Sequence, residues 1–454
     1  LNKKSYHLIG IGGEGMSAIA EILHRKGNIV SGSDLTSKKS TQFLSSLGIK
    51  IFIGQNEENI KDQDIVIYTS AVKEDNPEFI KAKKLKIKTL VRPLMLGKLM
   101  SEYKNRIAVS GVHGKTTTTT LIDKILSDAH VDITSLIGSS VEELGGNLRY
   151  GNGDTFLTEA CEAFKSFLHL KPSIAVITNI DADHLDNYGT IEAIEATFKE
   201  FTENIDKDGT IIYNGDDYRL INVVKGNKRK CVSYGLSENN YFCAKNIKEA
   251  GKYICYDLYI DNKFIDNIKL QAIGIHNVYN SLAAICCAYE FNVDISTIKN
   301  TLKNFVMPNR RFNVVYDEDF TIVDDYAHHP TELTSTLSAA KKHFPDNRLI
   351  AVFQPHLYSR TKEHSVNFAK ALSIADEIVI TDIYAARELP IDGVSYKLIS
   401  DKIKDKKCTY KELDKIADFI IKNKKTGDLI ILLGAGNIDS VYKEMLSKLT
   451  GKSV

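Results

Sequence analysis

Ala108-Val109-Ser110-Gly111-Val112-His113-Gly114-Lys115-Thr116-Thr117-Thr118-Thr119-Thr120 is an apolar strand end that runs into a glycine loop, a lysine and then a helix. Glycine at 111 and 114 lets backbone N–H groups converge on phosphate oxygens without a Cβ in the way, and the following helix adds its positive end. Lys115 supplies a mobile cation, and Thr116 or Thr117 an oxygen for Mg²⁺. The spacing is shorter than G-x-x-x-x-G-K-[ST], because Val109 stands in the place of the first glycine. The plainer alternative is a glycine turn before a threonine-rich helix, but five β-branched threonines are poor helix material unless something else requires them.

Outward from this loop, strands alternate with helices almost throughout, which predicts an α/β fold of parallel sheets wrapped by helices. The length of 454 residues suits about three domains. We expect them at residues 1–102, 103–308 and 309–454: a Rossmann-like domain, a central P-loop ATPase-like domain, and a second Rossmann-like domain. The first opens with a strand at 6–9, a glycine loop at 10–15, a helix to about Arg25 and a strand at 28–32. The second carries strands at 106–109, 156–158, 174–178 and 210–213, with a short β-rich stretch at 240–270 that reads as an antiparallel appendage. The third, after Met307-Pro308, holds strands at 320–323, 349–353, 377–381 and 429–433, with amphipathic helices such as 330–343 and 413–422 between them. No internal repeat or low-complexity tract points to a solenoid.

Composition narrows the class of function. Lys+Arg 59 against Asp+Glu 58 leaves a net charge of +1, so no global field favours nucleic acid or a membrane surface. Seven cysteines without a C-x-x-C spacing fit reduced thiols better than a disulfide framework. With no room for a signal peptide before the first strand and no membrane-spanning apolar run, the expectation is a soluble cytoplasmic protein.

The loop Gly10-Ile11-Gly12-Gly13-Glu14-Gly15 matches G-x-G-x-x-G, with Asp34 closing the second strand. Its physics is a diphosphate resting on a helix N-terminus, which a nicotinamide dinucleotide and a sugar nucleotide share. Glu14 places a carboxylate near that anion and is expected to point to solvent. Beyond the lysine loop, Glu159-Ala160-Cys161-Glu162 and Asp181-Ala182-Asp183-His184-Leu185-Asp186 follow successive strands, where open α/β sheets bind ligands. Glu159 and His184 with phosphate oxygens would make a divalent-metal site; hard carboxylates suit Mg²⁺ better than zinc. Strand-end turns rich in capping residues explain Asp181, Asp183 and Asp186 equally well. Gly274 to Asn280 reads as the opening of a helix at 281–288, either base-binding or a plain helix start. In the last block, Asn309-Arg310-Arg311-Phe312, Asp324-Asp325-Tyr326-Ala327-His328-His329 and Gln354-Pro355-His356-Leu357-Tyr358-Ser359-Arg360 sit at strand ends, and their arginine forks are shaped for a substrate carboxylate.

These motifs, together with Gly145-Gly146-Asn147-Leu148-Arg149 and Leu433-Gly434-Ala435-Gly436-Asn437-Ile438, resemble the Mur ligases, the ATP-dependent amino-acid ligases of peptidoglycan synthesis, over nearly the full length. The resemblance is strongest to those members that join L-alanine to the lactyl carboxylate of UDP-N-acetylmuramate through an acyl phosphate. It implies a cytoplasmic enzyme, monomer or homodimer, using ATP with Mg²⁺ or Mn²⁺. It implies Lys115, Glu159 and His184 as catalytic residues, and Thr116, Glu159 and His184 around the metal. ATP would lie on Gly111, Val112, His113, Gly114, Lys115, Thr116, Thr117, Asn280, Arg311 and Asp324. Gly12, Gly13, Gly15, Ser70, Asn147 and Arg149 would hold the sugar nucleotide, and Tyr326, His328, His356 and Arg360 the alanine end. Leu357 stands where many members have arginine, and Cys161 where aspartate is common. Lys199 lies near the place of a carbamylated lysine in some members and is not assigned. Rival readings are a recycling ligase that attaches a preformed peptide, a nicotinamide-dependent dehydrogenase using Asp34, and a nucleotide-sensing module. The dehydrogenase gives no role to Lys115, Glu159 or His184.

Overall fold

The computed structural model describes residues 3–450 apart from Ser70, His184 and Arg387. The chain divides into two compact units, Leu1–Cys243 with Leu282–Ile298, and Ala244–Ser281 with Lys299–Val454. Three sheets are built in chain order.

The first stretch holds β1 (Ser5–Ile9), α1 (Glu14–Arg25), β2 (Ile29–Asp34), α2 (Lys39–Ser46), β3 (Lys50–Ile53), β4 (Ile65–Tyr68), α3 (Pro77–Lys84), β5 (Lys88–Val91) and α4 (Arg92–Met100). Its five strands are parallel in the order β3-β2-β1-β4-β5. Strand order reverses beside β1, which places the glycine loop at the topological switch point.

The central stretch holds β6 (Asn105–Ser110), α5 (Lys115–Asp128), β7 (Ile133–Val141), β8 (Gly146–Arg149), β9 (Thr155–Glu159), β10 (Ile174–Ile177), α6 (Leu185–Tyr188), α7 (Ile191–Glu203), β11 (Thr210–Asn214), α8 (Tyr218–Val224) and β12 (Lys230–Gly235). These strands run β12-β11-β10-β6-β9-β7-β8, all pairs parallel except β7 with β8. β6 lies between β9 and β10, so the ends of three strands surround the lysine loop. One apolar core serves both sheets of the first unit, with Leu8 and Leu99 from the first and Phe156, Phe167 and Phe198 from the second. Phe167 stacks on Phe201 with ring centroids 4.7 Å apart.

The chain continues through β13 (Phe242–Ala250), β14 (Tyr253–Ile260), β15 (Lys263–Leu270), α9 (Ile275–Glu290) and α10 (Ile295–Lys303). β14 and β15 pair antiparallel, as the alternation at 240–270 predicts. α9 starts earlier than the expected 281–288: Gly274, at φ +85°, makes the turn, and His276, Asn277 and Asn280 lie on the helix itself.

The last stretch holds β16 (Asn313–Asp317), β17 (Thr321–Asp325), α11 (Pro330–His343), β18 (Leu349–Phe353), α12 (Tyr358–Leu372), β19 (Glu377–Ile380), α13 (Lys397–Ser400), β20 (Lys407–Tyr410), α14 (Leu413–Asn423), β21 (Leu429–Leu433) and α15 (Asp439–Thr450). The sheet order is β16-β17-β21-β18-β19-β20, with only the β16 edge antiparallel. Successive residues of the central strands enter opposite cores, Val323 and Ile431 on one face, Ile322 and Ile430 on the other. Burial on both faces explains why these strands read as unbroken apolar runs. Among the described residues no helix is long and apolar enough to cross a membrane.

Candidate active site

The lysine loop leaves β6 at Ser110 and enters α5 at Lys115, with Gly111 at φ +122° and Gly114 at φ +82°. A Cβ at Gly111 would lie 2.1 Å from Thr178 Oγ1, so sterics as well as φ require glycine there. Asn179, just past β10, fixes the loop from both sides: its Oδ1 accepts the His113 N–H at 2.8 Å and its Nδ2 donates to the His113 carbonyl at 2.9 Å. The His113 ring meets Asp181 at 3.0 Å. The threonines 116 to 120 are all buried on α5, which is the requirement that their poor helix propensity called for.

Lys115 Nζ donates to the carbonyls of Gly111 at 2.5 Å and Val112 at 3.0 Å, and to Glu162 at 2.8 Å. Burial alone would lower its ammonium pKa, but Glu162, with Cys161 and Glu159, outweighs burial and holds it above the usual range. The cation is therefore fixed as charged at the mouth of the loop. Burial, and next the charge of Glu162, push the Cys161 thiol up to about 11, so this cysteine is an inert neutral group. Glu159 closes β9 and accepts the Gly138 N–H at 2.7 Å, where a Cβ on Gly138 would come within 2.5 Å of the carboxylate. Thr116 and Glu159 offer hard oxygens beside the phosphate loop, a donor set that fits Mg²⁺. His184, expected to complete that set, and Ser70 lie outside the described residues.

At the glycine loop of the first sheet, the end of β2 consumes the backbone donors. Gly10 and Ile11 N–H groups donate to the Ser33 carbonyl at 2.8 and 2.9 Å, and Gly12 N–H to Asp34 Oδ2 at 2.9 Å. Asp34 is thus turned inward, where it also pairs with Lys38 at 3.2 Å. Glu14 is exposed, as expected. Beneath the loop sits a polar knot that sequence reasoning missed. The Ser33 hydroxyl donates to Glu78 at 2.5 Å, Asn59 to the same carboxylate at 2.6 Å, and His7 Nε2 lies 3.6 Å from it. Burial would raise the Glu78 carboxyl, but His7, Ser33 and Asn59 outweigh it and hold the group below its usual range. In the sequence Asn76-Pro77-Glu78 reads only as a capped helix start, which it also is. Asn147 donates to the Glu14 carbonyl at 3.1 Å, close to the glycine loop. Arg149 is held by Asp123 of α5 in a two-pronged ion pair, with both outer contacts at 2.9 Å.

In the second unit, β17, β18 and β19 bring the histidine and arginine motifs together. The Tyr326 ring is flanked by the guanidinium groups of Arg310 and Arg311, 5.1 and 5.2 Å from its centroid. His328 contacts the Tyr326 carbonyl at 2.9 Å and faces His356 with ring centroids 5.7 Å apart. Arg360, buried on the first turn of α12, reaches His356 Nδ1 at 3.2 Å. Leu357 precedes that helix at φ +71° with its side chain buried. Tyr384, which no motif signalled, stacks on His356 at 5.7 Å and 17°. It stands just past β19, and the strand-end rule applied there would have found it. Asp324 is 1 % exposed beneath Arg310, which also donates to the carbonyls of Gly434 and Gly436. Burial pushes the Asp324 carboxyl up to about 6, with Arg310 opposing and Asp439 and Asp325 adding to the rise. On α9, Asn280 donates to Asn277 at 3.0 Å, and burial followed by the charge of Arg311 pushes His276 down to about 4.

Comparison with known proteins identifies the family. Three family models match in series: "Mur ligase family, catalytic domain" over residues 5–104, "Mur ligase middle domain" over 109–288, and "Mur ligase, glutamate ligase domain" over 310–436. The UDP-N-acetylmuramate–L-alanine ligase of Clostridium botulinum is 44% identical over 444 residues, 96% of each chain. That of Caldicellulosiruptor saccharolyticus is 42% identical over 99% of each. Among solved structures, the UDP-N-acetylmuramate-alanine ligase of Thermotoga maritima superposes with a TM-score of 0.84 at 28% identity over 99% of both chains. A murein peptide ligase of Psychrobacter arcticus gives 0.71 at 25% identity, covering 99% of this chain and 100% of its own. With family models matched from residue 5 to residue 436 and relatives aligned end to end, the chain belongs to the Mur ligase family.

Proposed function

We propose that this chain is an ATP-dependent ligase that joins L-alanine to the lactyl carboxylate of UDP-N-acetylmuramate and releases ADP and phosphate. In this reading residues 1–102 bind the sugar nucleotide, 103–308 ATP, and 309–454 the amino acid, in the cytoplasm. The observation that carries it is the identity of 42–44% over 96–99% of the chain to L-alanine ligases, in a chain whose lysine loop holds Lys115 ion-paired to the buried Glu162. The inward-turned Asp34 counts against a dinucleotide dehydrogenase, whose acidic residue must face a ribose.

A carboxylate attacking the γ-phosphate of ATP brings two anions together, so the chain must supply positive charge where negative charge accumulates. Lys115 exchanges its internal carbonyl and Glu162 contacts for phosphate oxygens, and the loop N–H groups with the start of α5 hold the rest of the triphosphate. Thr116 and Glu159, with His184, would hold Mg²⁺, which when bound neutralises phosphate charge. The alanine amine then attacks the acyl carbon, forming the amide C–N bond as the bond to the phosphate oxygen breaks and inorganic phosphate leaves. Arg360, with His356 and His328 beside it, supplies donors for the alanine carboxylate, Tyr326 packs at the same end, and Arg311 is the cation for the phosphates. His276 stays neutral at physiological pH and, with Asn280, offers hydrogen-bonding edges to the adenine, while Asp324 would take the adenosine ribose.

The test is phosphate release by the purified protein with UDP-N-acetylmuramate, ATP and Mg²⁺. Release should depend on an added amino acid and favour L-alanine over glycine, L-serine and the murein tripeptide. Release indifferent to any amine would sink the ligase reading, and preference for the tripeptide would move the chain to the recycling reaction.

A further inference from the structure

Arg92 is the first residue of α4, and no motif or mechanism above uses it. Its guanidinium lies against the first turn of α1: a Cβ built on Gly15 would come within 2.8 Å of Arg92 NH1. The other five arginines of the first unit each pair with a carboxylate. Arg92 is half-buried and, among the described residues, has no carboxylate partner. A half-buried guanidinium packed beside the positive end of a helix brings two like-signed features together, an arrangement that becomes favourable when one anion is bound by both. The position is also held firmly. Gly97, on the same helix, packs so closely on the segment after Glu162 that a Cβ there would lie 2.2 Å from the His169 carbonyl oxygen.

We infer that Arg92 binds an anionic group of the sugar nucleotide, its diphosphate or its lactyl carboxylate, where the first turn of α1 meets α4. The inference rests on the sugar-nucleotide reading of the glycine loop. Arg92 would then orient the substrate between the loop that holds its nucleotide and the lysine loop that holds ATP.

Calorimetry on the full chain tests this with UDP-N-acetylmuramate, UDP and ADP as titrants. Arg92→Ala should weaken UDP-N-acetylmuramate binding by about tenfold to a hundredfold, the loss of one or two charge-assisted hydrogen bonds. ADP binding should be unchanged, which also reports that the variant is folded. Equal weakening of UDP assigns the arginine to the diphosphate, and weakening confined to UDP-N-acetylmuramate assigns it to the carboxylate. Unchanged affinity for UDP-N-acetylmuramate overturns the inference. Wild-type protein that binds ADP and no sugar nucleotide overturns the reading of the glycine loop and the inference with it, an outcome visible before any variant is made. Should Arg92→Ala lose ADP binding too, Arg92→Gln, which keeps the aliphatic stem and an amide donor without the charge, decides by the same criterion.

Discussion

Glu162 is buried and ion-paired to Lys115 at 2.8 Å, so removing the lysine does more than delete a cation from the phosphate loop. Lys115→Ala leaves a buried carboxylate without its cation, which in general costs about 3–5 kcal/mol. It also removes a preorganised charge from the transition state, worth about 3 kcal/mol or roughly a hundredfold in rate. The two effects separate in a double variant. Lys115→Ala with Glu162→Gln should recover most of the lost stability in urea unfolding, because a neutral amide tolerates the site, and should recover none of the phosphate release. A single Lys115→Ala variant as stable as wild type would show that the pair does not stabilise the nucleotide-free protein. The Cys161 thiol needs no such treatment: pushed up to about 11 by burial and Glu162, it is neutral in both states.

At the scale of elements, α4 shows packing overruling helix propensity. Alanine is ordinarily better than glycine inside a helix by about 1 kcal/mol. At Gly97 the added Cβ would meet a backbone oxygen of His169 at 2.2 Å, an atom that cannot rotate away. Gly97→Ala should therefore destabilise the first unit by about 1–3 kcal/mol, lowering the melting temperature, and should weaken sugar-nucleotide binding through the displaced Arg92. A melting temperature raised by the substitution would contradict the clash. The same contrast between local and distant causes decides what the sequence reveals. The strand ends at Ser110, Glu159 and Asp325 are legible because a two-sided buried strand is an apolar run and the loop after it carries glycine or charge. The start of α9 was misplaced by about two turns because the small polar residues after Gly274 look like a cap and a helix alike. Glu78 and Tyr384 stayed hidden for a different reason. Their partners, Ser33 and His356, are 45 and 28 positions away, and only the folded chain brings them together.

At the scale of the whole molecule, stability against pH is set partly by a half-buried histidine and a buried aspartate of the second unit that titrate in opposite senses. His276 has a folded pKa of about 4, below its ordinary 6.5, because of burial and then Arg311, with Glu332 opposing. It contributes stability that is present above pH 6.5 and is lost as pH falls toward 4. Asp324 has a folded pKa of about 6, above its ordinary 3.8, because of burial, with Arg310 opposing and Asp439 and Asp325 adding. Its contribution is present below pH 3.8 and is lost as pH rises toward 6. Each shift corresponds to up to about 3 kcal/mol, and the two slopes nearly cancel over the same window. In wild-type protein this pair should therefore add little net pH dependence between pH 4 and 6.5. His276→Asn leaves Asp324 unopposed, and stability should fall as pH rises across that window. Asp324→Asn leaves His276 unopposed, and stability should rise with pH instead. Carboxylates elsewhere, such as Glu78, titrate alike in all three proteins and drop out of the differences. Urea midpoints of the intact chain at several pH values measure both slopes. Two variants whose slopes depart from wild type in the same sense would refute the opposed titrations.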